Sequence, residues 1–97
     1  MTIVRYYRMD ATKGKEGVLR DALITLADVV RSIEGCTGVL MLAAPDVESS
    51  FLFLESWTSR EAHKAGGAEV PPEALAPVID SLAGPPAGHY LEQILAV

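Results

Sequence analysis

Residues 35–57 decide the fold. Gly35-Cys36-Thr37-Gly38 opens an apolar run, Val39-Leu40-Met41-Leu42-Ala43-Ala44. A turn follows, Pro45-Asp46-Val47-Glu48-Ser49-Ser50, and then a second apolar run, Phe51-Leu52-Phe53-Leu54, which ends in Glu55-Ser56-Trp57. Two apolar runs around a turn read as an antiparallel hairpin. Antiparallel strands with one face in water alternate apolar and polar residues, and these two do not. Both faces are therefore expected to be buried. So short a chain has helix enough to cover only one of them, so the other face calls for a second copy of the chain.

Outward from the hairpin, the N-terminal side supplies a strand and a helix. Thr2 to Asp10 carries Ile3, Val4, Tyr6, Tyr7 and Met9 with Arg5 and Arg8 among them, and reads as a first strand. From Val18 the period changes: Leu19, Leu23, Leu26, Val30 and Ile33 recur at steps of four and three. That spacing predicts an amphipathic helix of about five turns, ended by Gly35. On the C-terminal side, Thr58-Ser59-Arg60-Glu61 reads as a capping box with Thr58 as N-cap. The helix it opens is stopped by Gly66-Gly67. Leu75, Val78, Ile79 and Leu82 predict one more helix, starting near Ala76 because Pro77 is tolerated only in a first turn. Gly84-Pro85-Pro86 ends it, and His89 to Val97 reads as a fourth strand. The order strand, helix, strand, strand, helix, strand is the split βαβ pattern of a ferredoxin-like α+β sandwich, with helices on one face of an antiparallel sheet. The whole of residues 1–97 is expected to form one such domain. The bare, apolar sheet face should meet its copy across a two-fold axis, giving a homodimer.

Composition narrows the partners. A net charge of -5 and a pI near 4.8 argue against nucleic acid or an anionic membrane, both of which require basic patches. One cysteine, Cys36, allows no internal disulfide and no multi-cysteine metal site. Asp, Glu, His and Cys nowhere fall at metal-ligand spacing, so no metal is expected. Nothing resembles a signal peptide, and no apolar run approaches the ~18 residues of a membrane span. A soluble, reducing compartment, the cytoplasm, is the simplest expectation.

With this order of elements, the chain resembles the antibiotic biosynthesis monooxygenase domain family, whose members are dimeric ferredoxin-like α+β barrels. The resemblance covers nearly the whole chain. It rests on Gly14-Lys15-Glu16 at the first helix entry, Ile33-Glu34-Gly35-Cys36-Thr37-Gly38 at its exit, and Phe51-Leu52-Phe53-Leu54-Glu55-Ser56-Trp57 followed by Ser59-Arg60-Glu61-Ala62. The family includes cofactor-free oxygenases of quinols and aromatic polyketides, haem-degrading members and signal-molecule isomerases. The resemblance implies a pocket between sheet and helices, with Trp57 near it. Many members carry a histidine nine residues after the strand-end tryptophan, often with another a few residues on. Those places here hold Gly66 and Val70, and His63 is the nearest substitute. Haem-degrading relatives use an asparagine, a tryptophan and a histidine. This chain has no asparagine and its histidines do not match.

Each candidate site residue has a functional and a structural reading. Trp57 either stacks on a flat aromatic substrate or anchors the core. His63, with an ordinary pKa near 6.5, suits removal of a phenolic proton, or is a solvated surface residue. His89, at a strand start, is a substrate contact or a loop-edge residue. Tyr6 and Tyr7 point to opposite faces of the first strand, so only one lines the pocket. The other, with Arg5, should serve the dimer face. Glu55 shares a strand face with Trp57 and, if buried, needs a partner, with Arg5 and Arg8 the candidates. Cys36, after a helix end, reads as a quiet thiol. These residues point to oxygenation of a small, flat, largely apolar, quinol-like molecule without a cofactor, with His63 as base. A non-catalytic binding or scaffolding dimer, or an isomerase on the same fold, remains the alternative.

Overall fold

The computed structural model describes every residue from Met1 to Val97. Its elements run β1 (Ile3–Asp10), α1 (Glu16–Val30), β2 (Cys36–Ala44), β3 (Val47–Trp57), α2 (Arg60–Gly67), α3 (Pro72–Ser81) and β4 (Ala87–Glu92). The strands form one antiparallel sheet in the order β2-β3-β1-β4. This is the ferredoxin-like α+β arrangement expected from the sequence.

Alternation along β3 sorts its side chains. Phe51, Phe53, Glu55 and Trp57 are buried under the helices, while Leu52, Leu54 and Ser56 point to the opposite face. The register aligns Ile3, Arg5, Tyr7 and Met9 of β1 with Trp57, Glu55, Phe53 and Phe51. Leu19, Leu23, Leu26 and Val30 of α1 close over this side, and Val78 of α3 joins them in a single core cluster.

The opposite face of the sheet is uncovered within the chain. It carries Val4, Tyr6, Leu40, Leu42, Leu52 and Leu54, with Leu91 at the β4 end. Leu40 is 56% exposed and Leu42 44%.

Several boundaries differ from expectation. The hairpin turn is only Pro45-Asp46, since Ala44 pairs with Val47 and β3 begins there. α1 ends at Val30; Ser32 and Ile33 then donate to the carbonyls of Val29 and Val30 in tighter turns. Gly35 has φ +93°, and a Cβ there would stand 2.8 Å from that of Ala62 on α2, so the turn admits only glycine without rearrangement. Ser59, not Thr58, is the N-cap of α2: its Oγ accepts from the Ala62 N–H at 3.0 Å. Thr58 is held to the sheet end instead, its N–H donating to the Gly35 carbonyl at 2.9 Å. α3 starts at Pro72, four residues before the expected start, and runs through Pro77. Pro72 occupies N1, where a missing N–H costs nothing; Pro77 forfeits one helical hydrogen bond. β4 ends at Glu92 rather than continuing to Val97.

Candidate functional site

Between the sheet and the helices lies a cavity of about 550 Å3. Most of its wall is apolar, supplied by residues such as Met9, Leu26, Val30, Phe53, Val78 and Leu82. Its ionisable groups, Tyr7, Glu55 and His63, belong to one cluster beside Trp57. The cavity therefore fits a molecule with an apolar body and a polar group at one end.

The cluster is built by sheet alternation and one short helix. Glu55 and Trp57, two apart on β3, share a face, and the Trp57 Nε1–H donates to Glu55 Oε1 at 3.0 Å. Trp57 is 1% exposed, and its edge meets the His63 ring with centroids 5.5 Å apart. His63 comes down from α2 so that its two nitrogens lie between two hydroxyls. Tyr7 Oη stands 3.1 Å from Nε2 and Tyr90 Oη 2.7 Å from Nδ1. Glu55 Oε1 is 3.7 Å from the same Nε2. Behind these groups the Arg5 guanidinium lies over the rings of Tyr7 and Tyr90, 5.0 and 4.5 Å from their centroids.

Burial sets the protonation states. It pushes the Glu55 carboxyl above its ordinary value, partly offset by the Trp57 hydrogen bond and the Arg5 charge. It pushes the His63 imidazole below 6.5, helped by the positive charges of Arg5 and Lys64. It also raises the Tyr7 hydroxyl, against the hydrogen-bonding influence of Arg5. His63 is thus neutral near pH 7, with one lone pair and one N–H, the state a general base requires.

Of the residues singled out from sequence, Trp57, Glu55, His63 and Tyr7 come together on the cavity wall. Tyr6 and His89 do not. They stack on each other across β1 and β4 on the opposite face of the sheet, ring centroids 4.5 Å apart. Arg5 is on the helix side with Tyr7, not on the open face, because residues two apart on a strand point the same way. Of the two partners expected for Glu55, Arg5 stands opposite it and its charge acts on the carboxyl, whereas Arg8 lies on the exposed side, 3.7 Å from Asp10. Cys36 stands outside the cavity, its thiol pushed up by burial and bonded to the Gly38 carbonyl.

One participant escaped the sequence reading. Tyr90 could not have been found: its face depends on the pairing of Arg5 with Tyr90 across β1 and β4, which one sequence does not display. Gly66 and Val70 also acquire a physical meaning. A Cβ on Gly66 would stand 2.5 Å from Trp57 Cη2, so the indole already fills the space that a side chain would enter. Val70 lines the cavity as part of its aliphatic wall.

A family model described as antibiotic biosynthesis monooxygenase matches residues 2–65. No curated protein sequence matches the chain. Among solved structures, the chain is similar to a candidate antibiotic biosynthesis monooxygenase from Bordetella bronchiseptica, with a TM-score of 0.85, 17% identity, and coverage of 97% of this chain and 98% of that one. A second candidate of the same description, from Chloroflexus aurantiacus, gives a TM-score of 0.81 and 23% identity over 100% and 97% of the two chains. SnoaB, a cofactor-independent oxygenase from Streptomyces nogalater, gives 0.84 and 12% over 99% and 96%. At these identities the likeness establishes the shared fold.

Proposed function

The chain belongs to the antibiotic biosynthesis monooxygenase family, and we propose that it oxygenates a small quinol-like aromatic molecule without a cofactor. The observation that carries this reading is the ionisable cluster of Glu55, His63 and Tyr7 at the wall of an otherwise apolar cavity. A binding protein for an apolar molecule has no need of a buried neutral imidazole next to a buried carboxyl.

The chemistry follows from the geometry. The substrate's ring lies among the aliphatic wall and Trp57, with its hydroxyl at the ionisable end. Transfer of the phenolic proton to the cluster leaves an electron-rich phenolate that reduces oxygen directly. One oxygen atom enters the ring and the other leaves as water, the quinol supplying the remaining electrons as it becomes a hydroxylated quinone. The apolar wall excludes bulk water from the anion. The polar end that faces it is the Tyr7 hydroxyl, hydrogen-bonded to the His63 imidazole, with the Arg5 charge nearby.

The same reading includes a homodimer through the open sheet face. Its leucines and Tyr6 form an apolar surface of the kind that marks a protein contact. No helix is long and apolar enough to cross a membrane.

The test is oxygen uptake with a panel of hydroquinones and naphthoquinols, with no metal, flavin or reductant added. His63→Ala should lower turnover by about 100-fold, the usual contribution of a positioned base. Saturable binding of these quinols without uptake would replace the oxygenase by a binding dimer.

A further inference from the structure

The imidazole of His63 cannot offer a free nitrogen to a substrate as it stands. Nε2 is engaged by Tyr7 Oη at 3.1 Å and Nδ1 by Tyr90 Oη at 2.7 Å. Tyr7 lines the cavity, whereas Tyr90 does not. Tyr90 lies on the edge strand β4, its ring flanked by the guanidinium groups of Arg5 at 4.5 Å and Arg60 at 5.2 Å. The three groups form one chain of hydroxyl, imidazole and hydroxyl; Tyr7 and His63 touch the cavity, both imidazole nitrogens are taken up within the chain, and Tyr90 lies away from the cavity.

We propose that the Tyr7 hydroxyl is the acid–base group that meets the substrate, that His63 stores the proton behind it, and that Tyr90 is a positioning residue that fixes the imidazole tautomer. This rests on reading the cavity as a site for a phenolic hydroxyl. In the resting state Nδ1–H donates to Tyr90 Oη, which leaves the Nε2 lone pair to accept from the Tyr7 O–H. A bound phenol donates its own O–H to Tyr7 Oη. When the phenol O–H bond breaks, a new O–H bond forms on Tyr7 and the former Tyr7 proton forms an Nε2–H bond. The products are a phenolate and an imidazolium; no electrons are transferred in this step. The reverse transfer later returns the proton to the oxygen atom that leaves as water, so the tyrosine and the imidazole finish as they began.

The surroundings suit a proton held only briefly. The groups acting on His63 are Arg5 and Tyr7 from β1, Glu55 from β3, Tyr90 from β4, and Lys64 from its own helix, while Arg60 of that helix lies over the Tyr90 ring. Glu55 Oε1, 3.7 Å from Nε2, favours the imidazolium when it is ionised. Arg5 and Lys64 oppose it. Gly88 leaves room for Tyr7: a Cβ there would stand 3.0 Å from both the Tyr7 ring and the Arg5 guanidinium.

The experiment separates this assignment from the oxygenase reading by including a measurement that needs no turnover. Binding of 1-naphthol is compared with that of 1-methoxynaphthalene, which has the same ring system but no hydroxyl proton to donate. The parent should prefer the naphthol about tenfold, the value of one good hydrogen bond. Tyr7→Phe should abolish the preference and His63→Gln should largely keep it. Loss of preference in His63→Gln with its survival in Tyr7→Phe would place the imidazole on the substrate and overturn the proposal, as would absence of any preference in the parent. With a quinol substrate, Tyr90→Phe should lower kcat about tenfold, leave KM unchanged, and shift the acidic limb of the pH profile. An unchanged profile would remove Tyr90 from its positioning role. A parent that shows the naphthol preference but no oxygen uptake would leave the Tyr7 contact standing and end the oxygenase reading alone.

Discussion

Trp57 and Gly66 form a pair in which each residue explains the other. The indole is almost fully buried, donates to Glu55, and lies against the backbone of α2 at Gly66. Trp57→Ala should therefore cost about 3–5 kcal/mol, as large-to-small aromatic changes in a core do. An unchanged denaturant midpoint would contradict the placement. Gly66→Ala puts a methyl into the indole and should cost about 1–3 kcal/mol. Gly66→His should destabilise further and confer no activity, since the ring has no room beside Trp57. His63 reads from the sequence either as a base or as a solvated surface residue; its side chain is 14% exposed and holds two hydroxyls. Its effect on stability has a definite sign. The folded pKa lies below the ordinary 6.5, so its contribution is complete above pH 6.5 and declines as pH falls through the lower folded value. Glu55 acts in the other direction. Its pKa is raised above 4.5, so its contribution is complete below pH 4.5 and declines as pH rises through the raised value. His63→Gln should flatten the acid-side loss, and Glu55→Gln the loss at higher pH, in denaturation midpoints measured from pH 4 to 8.

At the scale of elements, the periodic stretches were legible and their ends were not. Leu19, Leu23, Leu26 and Val30 mark α1 by spacing alone, and all four are buried. The unalternating runs of β2 and β3 correctly identified a hairpin whose two faces are both apolar. Its turn was read too long because Val47-Glu48-Ser49-Ser50 looks polar, yet pairing with β2 and β1 makes it strand. Proline misled in the same way: Pro77 read as a barrier, but packing of α3 on α1 carries the helix through it. At α2 the cap signal was present, one residue from where it was placed. Ser59→Ala should cost about 1 kcal/mol through the lost cap, while Thr58→Ala should cost less. Because α2 carries His63, Ser59→Ala should also slow turnover more than Thr58→Ala; equal effects on midpoint and rate would mean that the cap does not position the histidine. For the site, the pair Glu55 and Trp57 was readable from strand period. The third dimension was not: which of Tyr6 and Tyr7 enters the cavity, and that Tyr90 reaches His63, depends on strand pairing.

At the scale of the molecule, one side of the sheet makes the cavity and the other makes a surface. Leu40, Leu42, Leu52 and Leu54 project from adjacent central and edge strands on the uncovered side. Leu54→Arg, at the centre of that face, should convert a dimer to a monomer by light scattering at micromolar concentration, and a parent that is already monomeric would contradict the dimer. The cavity on the other side lies within one chain, formed by residues of β1, β3 and the three helices, so its chemistry is open to a direct assay. The most direct measurement is oxygen consumption by the parent protein with a hydroquinone, from pH 5 to 9, with metals chelated and no cofactor added. The expected result is a saturable rate with one quinone formed per oxygen consumed. That rate should rise through a titration below pH 6.5, where His63 becomes neutral, and fall about 100-fold in His63→Ala at every pH above it. An uptake no faster than the uncatalysed oxidation, or one that is equal in parent and variant, would contradict the assignment of this cavity as a cofactor-free oxygenase site.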